Sequence, residues 1–242
     1  MKRFKDFVKF FENSDYWIYD GSWAIKDHDV TNGKLNKKVP DEVTGKFECT
    51  GMGLTTLEGC HTKTGMGFYC EKNKLTSLKG GPKEVGLNFN CQFNELTTLE
   101  GGPISVNGTY FCFNNKLTDL KGIAQNVVEI DCSHNLYLTS LEGCPKEIKF
   151  DFLFNNCSNL ETLYGAPKCD KISSNKGTKV PYAEWIWFHE EGHLGYTNYY
   201  LDLLKFIIKN DKLNIVDTIK WPKDFYSQEL VDSIKGINKF NL

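Results

Sequence analysis

The feature that most limits what this chain can fold into is a tetrad, Leu-Thr-x-Leu, that returns at nearly constant spacing. It stands at Leu54 to Leu57, Leu75 to Leu78, Leu96 to Leu99, Leu117 to Leu120 and Leu138 to Leu141, with a variant, Leu160-Glu-Thr-Leu163. Ahead of each copy comes an apolar pair split by one spacer: Phe47-x-Cys49, Phe68-x-Cys70, Phe89-x-Cys91, Tyr110-x-Cys112, Ile130-x-Cys132 and Phe150-x-Phe152. Three residues beyond the pair stands Asn73, Asn94, Asn115, Asn135, Asn155 and, in a degenerate last unit, Asn175. The interval is 21 residues in the first units and 20 in the later ones. A unit this short cannot cover its own apolar face, so successive units must stack into a solenoid.

Within a unit, Asn88-Phe89-Asn90-Cys91-Gln92 alternates apolar and polar residues, the pattern of a short strand with one buried face. Gly80-Gly81-Pro82, Gly101-Gly102-Pro103 and Gly143-Cys144-Pro145 then break the chain and turn it back. Stacked parallel strands lie roughly 4.8 Å apart, so seven of them make a sheet about 30 Å across. The repeated asparagine is expected to spend its amide on backbone groups that the bend leaves unpaired. The in-register cysteines run parallel and do not converge, which favours a small apolar ladder over a metal site.

With these residues the chain resembles the leucine-rich repeat family, whose core reads L-x-x-L-x-L-x-x-N-x-L, Phe and Cys here taking two of the leucine places. The likeness covers residues 46–175. The expected fold is α/β: a leucine-rich-repeat solenoid with a parallel sheet of about seven short strands. The tail of each unit, as in Leu75-Thr-Ser-Leu-Lys-Gly-Gly-Pro-Lys-Glu-Val85, resembles the short cysteine-bearing repeats common in bacteriophage and large-virus proteins. That resemblance implies a viral accessory protein that binds and inhibits a host protein, and it carries no settled activity.

The flanks are expected to cap the array. Phe4, Phe7, Val8 and Phe11 have the spacing of an amphipathic helix over 2–13. Asp20-Gly21, between Tyr16-Trp17-Ile18-Tyr19 and Ser22-Trp23-Ala24-Ile25, has the chemistry of a tight hairpin turn. Residues 1–45 are therefore read as a helix and hairpin cap. Residues 176–242 are read as a helical module, with helices from Asn198 to about Lys209, Asp211 to Lys220 and Pro222 to Ile234. All five tryptophans lie in these flanks.

Composition narrows the partners. Basic residues number 29 and acidic ones 31, and Arg3 is the single arginine, so a phosphate-reading surface is not expected and nucleic acid is an unfavoured partner. No apolar stretch reaches the roughly 18 residues of a membrane span, and the first residues lack the apolar core of a signal peptide. With an odd count of nine cysteines, this points to reduced thiols and a cytoplasmic setting.

One motif speaks for chemistry. His189-Glu190-Glu191-Gly192-His193 matches H-E-x-x-H, in which two histidines hold zinc and the glutamate activates water. Against it, Glu191 charges a spacer, Gly192 weakens the helix, and Glu229, the candidate third ligand, lies beyond Trp221-Pro222. The chain shows no P-loop, dinucleotide fingerprint or serine nucleophile elbow. No cofactor and no catalysis are expected. The competing reading is a two-part effector, its repeats selecting a target and its C-terminal module doing chemistry, with or without zinc.

The units differ most on the outward side of the strands, where solenoids bind partners. The spacer between core positions is Glu48, Tyr69, Asn90, Phe111, Asp131, Asp151 and Lys171. The next outward position is Thr50, Glu71, Gln92, Phe113, Ser133, Leu153 and Ser173, with Phe93 and Phe154 one step further. The candidate site for a protein partner is Tyr69, Glu71, Asn90, Gln92, Phe93, Phe111, Phe113, Asp131 and Asp151, aromatic in the middle and acidic around it. Two alternatives stand beside it: the C-terminal helices cover the patch, or Phe93 turns into the core.

Overall fold

The computed structural model describes residues 17–18, 21–60, 63–174 and 178–180. They build a parallel-strand β-solenoid. Eight short strands, one per coil, stand side by side in chain order: Ser22–Ala24, Phe47–Glu48, Phe68–Tyr69, Phe89–Asn90, Ser105–Phe111, Asn126–Asp131, Asp151–Leu153 and Lys171–Ser173. Trp17–Ile18 pairs antiparallel with the first of them, Trp17 opposite Trp23 and Ile18 opposite Ser22. A second row of parallel strands, Glu42–Val43, Lys63–Thr64 and Glu84–Val85, runs around the corner of each coil. It merges with the first row in Ser105–Phe111, where a bulge between Val106 and Thr109 turns the corner within one strand.

The alternating pattern places one side chain of every pair inside. Phe47, Phe68, Phe89, Tyr110, Ile130 and Phe152 are in register from coil to coil, and all are fully buried. The first three rings stack, with centroids 4.9 and 5.8 Å apart, and Tyr110 meets Phe89 at 4.9 Å with its ring tilted by 56°. Both leucines of every tetrad from Leu54 to Leu163 are fully buried as well.

The α/β class expected from the sequence is corrected here. Among the described residues the regular structure is β, apart from one 3-10 turn at Asp27–Asp29, and no α-helix connects the strands. The reason lies in the third residue of the tetrad. At Thr56, Thr98, Asp119, Ser140 and Thr162 the side-chain oxygen accepts the N–H of the residue two places on, at 2.9 to 3.2 Å. Such a bond closes a turn in competition with a helix. The glycine that follows seals it: Gly80 sits at φ +84°, and a Cβ there would lie 2.6 Å from the Glu58 backbone of the coil below. The helix expected over 2–13 and the helices expected from Asn198 onward lie outside the described residues.

Two details of register also differ from the sequence reading. Trp23 occupies the place of Phe47 one coil earlier, so the parallel sheet reaches back before residue 46. Twenty-four residues separate these two, and the 3-10 turn with the small hairpin Val30–Thr31 and Lys34–Leu35 takes up the excess. At the other end, Phe152 and Phe154 fill the core pair, and Phe150 stays outside with 43% of its surface exposed. The coil from Ile130 to Phe152 is 22 residues long because an extra residue lies between Asn135 and Leu138. A slip of two residues preserves the in-out alternation, so the pattern alone does not reveal it.

The asparagine ladder joins the coils. Asn115 donates from Nδ2 to the carbonyls of Cys91 and Cys112, both at 3.1 Å, and its Oδ1 accepts the N–H of Leu96 at 3.1 Å. Asn73, Asn94 and Asn135 repeat this set on their own coils. Asn155, expected as the next rung, sits two residues too early. Cys157 takes the place, and its Sγ donates to the Cys132 carbonyl at 3.4 Å and, more distantly, to that of Asn155 at 3.9 Å. Asn175 lies outside the described residues. Because a buried backbone group left unpaired costs roughly 1 to 3 kcal/mol, Asn115→Ala should lower unfolding free energy by about 3 kcal/mol or more. Asn115→Asp should be worse, since it aims a carboxylate oxygen at two carbonyls; urea unfolding followed by circular dichroism measures both.

Candidate functional site

The solenoid carries three outward rows that the core does not dictate. The first lies between the core pair and reads Glu48, Tyr69, Asn90, Phe111, Asp131, Leu153 and Ser173. The second follows the cysteine and includes Thr50, Glu71, Gln92, Phe113 and Ser133. The third, one residue further, is Lys72, Phe93, Asn114, His134 and Asn156, and every one has positive φ, between 52° and 57°.

Three rings meet where these rows cross. Phe111 ends its strand, Phe113 follows two residues on, and their rings meet edge to face, centroids 6.4 Å apart at 83°. Phe93 on the neighbouring coil meets Phe113 at 5.5 Å and 74°. Phe93 is 46% exposed, which excludes its turning into the core. Its backbone at φ +52° is a conformation that L side chains other than Asn and Asp adopt at a cost of roughly 1 to 2 kcal/mol. Asn114, one coil on, holds the same geometry with a residue suited to it.

Tyr69 does not join this cluster. Its ring lies over Gly67, where a Cβ would sit 2.5 Å from a ring carbon, and the Lys46 ammonium is 5.9 Å from its centroid. Asn90 is largely buried, its Oδ1 accepting the Gln92 N–H at 3.2 Å. Asp131 does the same for Ser133 at 3.0 Å. Phe154 leaves the face altogether, being fully buried in the core pair. Asp151 moves to a row before the core pair, in register with Lys171, and its carboxylate lies 3.6 Å from the Lys171 ammonium. Glu129, which the sequence reading passed over, lies in this row, with the Thr109 hydroxyl donating to it at 3.4 Å. Its signal was the alternation itself, since Glu129 precedes Ile130 as Lys46 precedes Phe47.

Electrostatically the face is crowded with acid. Burial pushes the Glu129 carboxyl above its ordinary range, and Asp151 and Asp131 push the same way, while Thr109 and Lys171 oppose them. Burial likewise raises Glu71, helped by Glu48 and resisted by Thr50 and Lys72. Oε2 of Glu71 and Oε1 of Gln92 are buried acceptors on adjacent coils of the second row, and neither meets a donor among the described residues.

Eight of the thiols are buried, and Cys144 is partly exposed. All nine cysteines are free. Sγ of Cys49, Cys70, Cys91 and Cys132 donates to a carbonyl of the next coil at 3.3 to 3.4 Å. Burial raises the thiols of Cys49, Cys70, Cys112 and Cys132 well above the usual range, and that of Cys157 to about 11. Among the described residues no group of His, Cys, Asp and Glu is arranged to hold a metal ion. His189, His193 and Glu229 lie outside them. No described helix is long and apolar enough to cross a membrane. No family model, no curated protein and no solved structure matches this chain.

Two outcomes follow from these environments. A thiol reagent at pH 7.4, without reductant, should find few reactive groups in the native fold and nine after denaturation. Glu71→Gln should raise the thermal midpoint by bringing an amide donor to a row short of one. A folded-state pKa above the unfolded value, about 4.3, means that Glu71 costs stability as pH rises through its raised pKa. The advantage of Glu71→Gln should therefore be larger at pH 7 than at pH 4 in paired melting curves.

Proposed function

We propose that this protein acts by binding another protein through the outward face of its parallel sheet, with no catalysis of its own. The observation that carries this reading is the outward-facing three-ring cluster of exposed Phe93 with half-buried Phe111 and Phe113 on a stacked, internally bonded frame. Desolvated aromatic groups at the centre of an interface supply much of its binding energy. Phe93 strengthens the reading because its backbone geometry makes it a poor choice for stability, so its ring is more simply understood as serving the surface. Within this reading the units are of leucine-rich type. Their likeness to short cysteine-bearing viral repeats supports a biology in which an accessory protein blocks a host protein.

The position of Phe93 also provides a clean test. Phe93→Asn keeps a residue suited to positive φ and should leave the thermal transition unchanged or raise it, by up to about 1 kcal/mol. The same substitution should weaken partner capture by roughly 30-fold, the equivalent of about 2 kcal/mol. Capture from a host lysate by the parent protein, Phe93→Asn and Phe113→Ala, beside their melting curves, separates binding from folding. Undiminished capture by both variants would sink the reading.

A further inference from the structure

The chemistry around the three rings says what kind of partner fits them. Across its rows the sheet face carries five carboxylates, Glu48, Glu71, Glu129, Asp131 and Asp151, and three lysines, Lys46, Lys72 and Lys171. Two of the lysines are engaged in ion pairs, Lys46 with Glu48 at 2.9 Å and Lys171 with Asp151 at 3.6 Å, while Lys72 adjoins Glu71 in the chain and partly offsets its charge. Glu71, Glu129 and Asp131 have no lysine within ion-pair distance among the described residues. Glu71 lies on the coil before Gln92 and Phe93, and Asp131 is in register with Phe111, so acids without an ion-pair contact flank the rings on both sides. The carboxyls of Glu71 and Glu129 are raised chiefly by burial, and neighbouring acids, Glu48 for the first and Asp151 and Asp131 for the second, push the same way. Aromatic faces also attract cations.

Resting on the binding reading above, we propose that the partner presents lysine or arginine side chains on either side of an apolar group, the apolar group seating on Phe93, Phe111 and Phe113. One cation meets Glu71, where Oε2 and the neighbouring Gln92 oxygen both lack donors among the described residues. The other meets the pair Glu129 and Asp131. An acidic segment or a phosphate-bearing chain is repelled by the same field. Association is accelerated by these charges and weakened by salt, since the screening length is about 8 Å at physiological ionic strength.

The test uses three synthetic peptides of one length, acetylated and amidated: Arg-Leu-Phe-Lys, Gln-Leu-Phe-Gln and Glu-Leu-Phe-Glu. Each is titrated into the isotope-labelled full chain at low salt and followed by backbone amide shifts. The basic peptide should shift the amides of Gln92, Phe113 and Asp131 with at least tenfold higher affinity than the neutral one, and the acidic peptide should leave them in place. Added salt should narrow the difference. The triple variant Glu71→Gln, Glu129→Gln, Asp131→Asn retains every side-chain acceptor described here and should bring the basic and neutral peptides to equal affinity. Equal shifts from all three peptides on the parent protein overturn the inference about charge and leave the face as a binding surface. Shifts confined to residues away from these rows, or none with the basic peptide, also overturn it. The capture experiment with Phe93→Asn then decides the binding reading by itself.

Discussion

An asparagine amide that donates to carbonyls of two successive coils sets how one coil sits on the next, because both bonds are satisfied together at only one height and register. Asn73, Asn94, Asn115 and Asn135 each do this, and each also accepts the N–H that begins the leucine tetrad of the preceding coil. The aromatic stack, the cysteine row and the leucine rows depend on that register, since a displaced coil would set the Phe68 ring against backbone instead of against Phe47 and Phe89. Where Cys157 replaces asparagine, weak sulfur contacts to the Cys132 and Asn155 carbonyls stand in for the amide's bonds. Leu138 N–H, which would have met an asparagine oxygen, turns instead to the carbonyl of Asn135 at 3.0 Å.

In-register stacking puts each residue on its own counterpart, which suits apolar groups and punishes charges. The sequence escapes this by alternation. The residue before the corner glycine runs Glu58, Lys79, Glu100, Lys121, Glu142, and Lys121 meets Glu142 at 2.8 Å. Lys74, Glu95, Lys116 and Glu42, Lys63, Glu84 follow the same rule on other rows, with contacts at 3.0 and 2.9 Å. Exposed pairs like these contribute little one at a time. Their joint effect is on specificity: skipping one coil would set glutamate on glutamate and lysine on lysine along three rows at once.

Much of the interior was legible because periodicity in sequence becomes identity of position in a stack. The tetrads, the aromatic row, the cysteine row and four asparagine rungs all follow from counting. Counting fails where the coil length changes without changing parity, and so Phe150 and Asn155 were taken for Phe152 and Cys157. The connecting segments were misread for another reason: a family likeness suggested α/β, whereas the oxygens of Thr56, Thr98 and Asp119 close local turns that leave no room for a helix. Of the face, alternation gave which side chains point outward but not where their rings go. Tyr69 leans over a glycine that only the neighbouring geometry makes significant, and Phe93 reaches Phe113 by a backbone angle that no composition encodes.

The frame therefore divides the chain into positions that the stack dictates and positions that it leaves free. Core rows repeat nearly the same residue in every coil, and the turn position is held to Thr, Ser or Asp by its backbone bond. Along the positive-φ row the residues are Lys72, Phe93, Asn114, His134 and Asn156, alike in geometry and unlike in chemistry. A row whose backbone is fixed by its neighbours but whose side chains vary is well placed to hold information about a partner, because changing a side chain there leaves the stack intact. Phe93 lies in that row, and Glu71, Gln92 and Phe113 lie in the row beside it. Specificity in this molecule is therefore best sought in those two rows, where the side chains differ from coil to coil while the asparagine ladder beneath them stays the same.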